Sequence, residues 1–541
     1  MEKDQINGEI HSMLSFKFLR LYTLAGCLVI CWSGHKPALG QISQPERFEV
    51  DVENSSEDFT IVPAGEEGLL LVRPNPDLFE KNKMSWEFIA LDTALNKRRT
   101  DLIYIEYGYE LRGYDYNDHK IYLLFEMNNN NYADFNFMEY DLLNGEHSIT
   151  KIKRLLNISL TEFEVLDRKA ILGGYINTRP AVVMYSMDEE TTKVLPGIYF
   201  DKTQLLQLVV SDESKVIRVV TSLQLPGSGN RTINIRSFNS QGELLENSTL
   251  QPDDRYSLLT GRVVNVNPTV TLIAGTYGNR KSEYSRGIFL TRIDSEGDKK
   301  LIYYDYADLK NFFSYMKARK QAEVRDKIQR KKVHGQRARF YYRLLVHDIS
   351  EYQGNYILVG EAYYPKYSNN NFYSGYWYSP YYFDYYDLYR NSYNRYNSPY
   401  YYRNNFTGYA YTHAVIIGFD KKGNVLWDNS FEIKDVTSDV LQPLVKVSAK
   451  PGRLVLLYNF DNKIRTKIIQ GDKVMEGKEF DNINLKFRED EVKEDDARLG
   501  GLENWYDDTF YAYGIQHIRN ASQPGGKLNR KVFFVNKIIY Y

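Results

Sequence analysis

Two stretches decide the fold: NYILVGEAYYP from Asn355 to Pro365 and THAVIIGFDKKGNVLWDNSF from Thr412 to Phe431. Each is a run of β-branched and aromatic residues of strand length, and the second closes on a turn signal, Asp420-x-x-Gly423. Together they are the halves of one β-unit, forced apart by a segment dominated by tyrosine and asparagine.

Working outward, the apolar half of that unit recurs along the chain. Copies are GLLLV at Gly68, KIYLLFE at Lys120, KAILGGY at Lys169, KVIRVVT at Lys215, VTLIAGT at Val270, YILVGEA at Tyr356, RLVLLYN at Arg453 and TFYAYGI at Thr509. The hairpin half recurs as TINIRSFNSQGELL from Thr232, GIFLTRIDSEGDKKL from Gly287 and HAVIIGFDKKGNVLW from His413. Asn239, Asp294 and Asp420 each stand three residues before Gly242, Gly297 and Gly423. An Asn or Asp side chain caps such a bend and Gly accepts positive φ there, so these turns speak for fold before they speak for ligand binding.

Copies start about 45 to 56 residues apart, lengthening to roughly 85 and 98 where two insertions intervene, which is the period of a four-stranded propeller blade. The expected fold is all-β, an eight-bladed β-propeller, with seven blades as the alternative because the first and last copies are the weakest. The last copy offers three strands, and RFEVDVE from Arg47 can supply the fourth and close the ring.

FDKKGNVLWDNSF resembles the outer hairpin of quinoprotein-type propellers, through Asp420, Gly423 and Trp427. The unit is similar to repeats in uncharacterised exported propellers of Gram-negative bacteria. That resemblance implies a fold and a compartment, and no activity. The sialidase Asp-box needs Asp-x-Gly, so the Asp-x-x-Gly here does not match it.

The N-terminus places Lys17 and Arg20 before an apolar run from Leu21 to Trp32 and ends in Ala38-Leu39-Gly40. That is the order of a secretory signal peptide spanning 1–40, with Gln41 the first mature residue and Met13 an alternative start. The run falls short of the roughly 20 residues a bilayer span needs. Leu24-Ala25-Gly26-Cys27 offers lipidation at Cys27 as the competing process. Either way the chain is expected outside the cytoplasm, in the periplasm, at the cell surface or beyond. The two cysteines of the chain, Cys27 and Cys31, both lie in this leader. A single propeller domain over 41–541 would therefore have no disulfide and no Cys-ligated metal.

Lys plus Arg (69) balance Asp plus Glu (70), so no overall field draws nucleic acid or an anionic membrane. Charge is local instead. The first insertion, 308–339, is basic. Leu309, Phe312, Phe313 and Met316 fall at helical spacing after Asp308, predicting an apolar helical foot, and Gly335 is a stop. Arg325, Arg330, Lys331 and Lys332 are candidate anion-binding residues, for phosphates or peripheral contact with a membrane; the competing reading is a solvated helix face.

The second insertion, 363–411, is tyrosine- and asparagine-rich. Tyr supplies a flat apolar ring with a polar tip, suited to adaptable recognition of proteins or sugars. Tyr376, Trp377, Tyr381, Tyr382, Tyr385 and Tyr386 are candidate platform residues, and Glu361 is the best-placed carboxylate beside them, with Asp384 and Asp387 able to oppose it. A low-complexity cover is the competing reading.

No nucleophile motif, phosphate loop or dinucleotide fingerprint is present, and no two histidines have metal-ligand spacing. His347-Asp348 reads as a solvated pair or a satisfied blade histidine. No catalytic residue, cofactor or metal is assigned. The chain reads as an exported binding protein for a protein or cell-envelope component, using the tyrosine-rich loop. The alternative is a carbohydrate-binding or glycan-hydrolysing propeller using the same loop.

Overall fold

The computed structural model describes residues 42–53, 59–128, 133–154, 156–267, 270–293, 300–367, 406–433, 436–450, 452–460, 462–471, 473–475, 480–493, 498–520 and 528–540. The chain divides into a small unit, residues 1–43 with 540–541, and a large one, Gln44–Ile539. In the small unit the leader lies outside the described residues, and a short strand, Ile42–Ser43, is seen.

The large unit is an eight-bladed β-propeller. Each blade is an antiparallel sheet built around four strands, and the eight apolar copies found in the sequence are the second strands of the eight blades. Blade 1 runs Thr60–Pro63, Leu69–Glu80, Lys83–Leu91, Lys97–Glu106, and blade 2 begins at Tyr109. Second strands are buried on both faces, as in Lys120–Met127 and Lys169–Ile176, which explains their near-continuous apolar runs. First strands neighbour one another from blade 1 to blade 6 and from blade 7 to blade 8, the short strand Ser350–Tyr352 making the link from blade 6 to blade 7, and they form the inner wall.

Apolar side chains fill the gaps between blades. Trp86 of blade 1 meets Phe125 of blade 2 edge-on at 5.1 Å, and Phe88 stacks on Tyr140 at 5.4 Å. Trp427 joins the cluster shared by blades 6 and 7, alongside Phe431 and Tyr458. Fully buried side chains among these, such as Phe88 and Tyr140, contribute about 1.5–3 kcal/mol each.

The ring closes as the terminal strands suggested. Blade 8 takes Arg498–Asn504, Thr509–Arg519 and Asn529–Tyr540 from the C-terminal region, and Arg47–Asp51 pairs antiparallel with the last of these as the outer strand. Arg47 donates to Asn536 Oδ1 (2.8 Å) and Gln516 Oε1 (2.9 Å). Trp505 donates its indole N–H to the carbonyl of Gly68, tying blade 8 to blade 1.

The Asp-x-x-Gly turns form as the residue types require. Asp420 Oδ1 accepts the N–H groups of Lys422 and Asn424 while Gly423 adopts φ 83°, and Asn239 with Gly242 (φ 68°) repeats the pattern. The Asp294–Gly297 copy lies outside the described residues. A further turn, Asp92 to Asn96, uses the same carboxylate bonds with Leu95 at φ 56° in the glycine's place.

One local expectation is corrected. Leu309, Phe312, Phe313 and Met316 form turns, and the helix starts later, at Ala318–Val333. The cause lies in blade 6: Asp428 accepts the N–H groups of Lys310 (2.9 Å) and Asn311 (2.7 Å), and Ser430 donates to the Asn311 carbonyl. These bonds strap the segment to the blade, while Leu309, Phe312 and Phe313 enter the core between blades 5 and 6. Asp305 is the N-cap of a single 3-10 turn at Tyr306–Asp308, and Asp308 Oδ2 accepts the Asp305 N–H (3.1 Å). Gly335, with φ 65°, ends the helix: its N–H bonds to Lys332 O and that of Gln336 to Lys331 O, a Schellman motif.

Candidate binding face and inner channel

In a four-stranded antiparallel blade, the connection between strands two and three and the crossover to the next blade leave from the same end. The first insertion lies between the last strand of blade 5, Ile302–Asp305, and the first of blade 6, Arg343–Val346. The second lies between strands two and three of blade 6, Asn355–Tyr367 and Phe406–Phe419. Both insertions therefore leave the propeller on one face.

The strands bounding the tyrosine-rich segment are the two longest among the described residues, and their pairing continues to Tyr367↔Phe406. On this ribbon Tyr363 packs edge-on against Tyr409 at 5.8 Å, Phe406 meets Tyr409 at 5.0 Å, and Tyr364 is exposed. Tyr376, Trp377, Tyr381, Tyr382, Tyr385 and Tyr386, with Asp384 and Asp387, lie outside the described residues.

Glu361 is fully buried on the second strand of blade 6. Its oxygens accept the N–H groups of Leu444 (2.9 Å) and Val445 (2.8 Å), on the chain entering blade 7, and lie 2.7 Å from His347 Nε2. The carboxylate is thus a tie between blades 6 and 7, with its lone pairs occupied by protein donors. His347 is the satisfied blade histidine, and its neighbour Asp348 points to solvent.

The inner wall carries a group that the sequence reading did not single out. First strands of blades 2 to 5 each carry a bulge, at Leu111/Gly113, Leu160/Glu162, Leu205/Gln207 and Leu258/Thr260, which re-aims the local side chains. Glu162 and Glu164 alternate along blade 3's first strand and so share a face. Burial pushes Glu162 up to about 8, against the opposing pull of Arg262 and with Asp348 adding to it. Burial, then the neighbouring Asp115 and Glu162, does the same for Glu164. Arg262 pairs with Asp348 at 3.4 Å, and Gln207 donates to Asp348 (2.9 Å) while accepting from Val263 N–H (3.0 Å). The sequence signal was TEFE, two carboxylates at i and i+2 in an otherwise apolar strand.

His413 is a second buried titratable group. Its ring stacks on Tyr315 at 3.7 Å and 3°, Phe312 and Tyr342 meet it edge-on, and burial lowers its pKa to about 3. Nδ1 lies 2.9 Å from Thr412 Oγ1.

Of the basic residues named from sequence, Lys331 faces a groove between the helix and blade 5, whereas Arg325, Arg330 and Lys332 are exposed and do not line it. Among the described residues no group of three or more His, Cys, Asp or Glu is arranged to hold a metal, and no helix is long and apolar enough to cross a membrane.

No family model and no curated protein matches this chain, so neither the quinoprotein-type repeat nor the exported Gram-negative group is matched. Solved structures do share its course. The β-propeller domain of the Trilobed protease from Pyrococcus furiosus is 9% identical over 79% of this chain and 93% of its own, with a TM-score of 0.34. Acylaminoacyl peptidase from Pyrococcus horikoshii is 9% identical over 77% of this chain, with a TM-score of 0.35, and this chain spans 50% of it. Polysaccharide lyase Uly1 is 7% identical over 79% of this chain and 89% of its own, with a TM-score of 0.37. At these values the likeness carries no argument about this chain's activity, substrate or partner.

Proposed function

We propose that this chain is an exported, non-catalytic β-propeller that binds a protein or cell-envelope component on the face from which both insertions leave. One observation carries the reading: the paired ribbon from Tyr363↔Tyr411 to Tyr367↔Phe406 extends blade 6 and delivers both ends of the tyrosine-rich segment to that face. Long connections held by a rigid scaffold are where propellers and other repeat folds place recognition. The periplasm or cell surface is the proposed compartment, from the leader-like order of residues 1–40.

The glycan-hydrolysing alternative draws less support, because Glu361 is enclosed and its oxygens are already bonded. Sugar binding by the tyrosine-rich segment is a variant of the same proposal.

The test compares the intact chain with one lacking residues 368–403 in capture from envelope extracts and on a glycan array. The expected result is a partner or glycan retained by the intact chain and lost on deletion, with an unchanged melting temperature. Identical partners with and without the segment would overturn the proposal.

A further inference from the structure

Beside the helix Ala318–Val333 runs a groove of about 970 Å³, bounded on one side by the helix C-terminus and the irregular segment after it, and on the other by blade 5. Its cationic lining comes from three separate parts of the chain. Arg255 lies on the crossover into blade 5, Lys327 and Lys331 on the helix, and Arg337 and Arg339 beyond the Schellman turn. Arg286 also reaches it, but Arg286 is spent on Asp305 through two bonds of 2.7 and 2.6 Å.

Among the described residues no Asp or Glu lines this groove. Three of the cations that line it are turned to uncharged groups: Lys331 donates to Gln336 Oε1 at 2.7 Å, Lys327 sits 5.0 Å over the Phe340 ring, and Arg255 lies over Tyr256. Elsewhere the molecule follows the opposite rule. On the same helix Lys320 and Arg319 both reach Glu323, and Arg530 is shared between Glu49 and Asp490. In a chain of net charge −1, five cations converging on one concave surface without a carboxylate concentrate positive potential there.

The ends of the groove are set by backbone geometry. The Schellman turn at Gly335 reverses the chain so that Arg337 and Arg339 face back toward Lys331, and buried Ala338 anchors the returning segment between them. A helix alone would spread these charges round its circumference, as it does Arg325, Arg330 and Lys332.

We infer that this groove is a binding site for a phosphoryl-bearing anion, held by Arg255, Lys327, Lys331, Arg337 and Arg339. Guanidinium groups supply paired N–H donors matched to phosphate oxygens, and the lysines act as point charges. The site uses no residue of the tyrosine-rich segment and stands apart from the reading of that segment as the partner-binding element.

The test measures binding of two probes: tripolyphosphate by calorimetry, and vesicles of phosphatidylcholine with or without phosphatidic acid by co-sedimentation. Tripolyphosphate binding identifies a soluble phosphate source; binding to phosphatidic acid vesicles alone identifies a membrane source. Two triple variants are compared, Lys331→Ala/Arg337→Ala/Arg339→Ala in the groove and Arg325→Ala/Arg330→Ala/Lys332→Ala outside it. All six positions are exposed, so both variants should keep the parent's melting temperature. The groove variant should lose about tenfold in affinity for each charge–phosphate contact removed, the outer variant far less, and deletion of residues 368–403 should change nothing. Arg255→Ala, on the propeller itself, should weaken binding with the helix intact. Equal losses in the two triple variants, or no binding of either probe by the parent chain, would overturn the inference.

Discussion

Glu361, on the second strand of blade 6, and His347, one residue past the first strand, meet at 2.7 Å, and the same carboxylate receives two backbone N–H groups from the chain entering blade 7. A buried carboxylate so bonded acts by holding blades together. Glu361→Gln would turn an amide N–H₂ toward donors that need an acceptor. The expected loss is about 2–4 kcal/mol of stability, read by chemical denaturation, since a buried donor left unpaired bears its full desolvation penalty. A variant as stable as the parent would refute the structural role.

Glu162 and Glu164 give the channel a pH dependence. Both carboxyls titrate near 8 in the fold and near 4.5 in the unfolded chain, so between these values the folded state holds protons that the unfolded state has released. Their contribution to stability is therefore present below about pH 4.5 and lost as pH rises toward 8. Glu162→Gln/Glu164→Gln should abolish that part of the decline, on the order of a few kcal/mol, in denaturation curves taken across the window. A parent and variant with parallel pH profiles would rule this out.

His413 has the opposite sign. Burial holds its pKa near 3 against 6.5 in the unfolded chain, so the unfolded state gains a proton first as pH falls. Stability should drop between about pH 6.5 and 3 from this group. His413→Phe keeps a ring stacked on Tyr315 and removes the titrating group, so it should move the acid-unfolding midpoint to lower pH. No change in that midpoint would place the acid lability elsewhere.

Ring closure depends on the strand Arg47–Asp51. A chain lacking residues 1–52 exposes the edge of Asn529–Tyr540 and strands Arg530 without Glu49, which it meets at 2.5 Å. Open edges invite pairing with other chains. The shortened chain should form oligomers on size-exclusion and melt well below the parent; a monomer of parent stability would show that closure matters little.

Inside the large unit no cysteine stands between residues 44 and 539, so packing between blades carries the stability. The substitution Gly418→Ala probes that packing, because a Cβ there would lie 2.3 Å from the Trp427 ring. About 1–3 kcal/mol should be lost, with partial recovery on adding Trp427→Leu; an unperturbed melt would show that the ring moves freely.

What the sequence by itself determined was periodic and local. Blade count, second strands, the Asn239 and Asp420 turns, the helix stop at Gly335 and closure by Arg47–Asp51 all follow from strand patterning and turn chemistry, which act between residues close in the chain. Tertiary structure decided what depends on distant partners. Leu309–Met316 had helical spacing, but Asp428, over a hundred residues on, captured its N–H groups. Glu361 looked free beside the insertion, yet the backbone of Leu444 and Val445 encloses it. The pairing of Arg262 with Asp348, and the convergence of Arg255 with Lys331 and Arg339, come from bending the repeat into a ring. Only that curvature brings one end of every blade to a common face, and with it charges that the linear sequence keeps far apart.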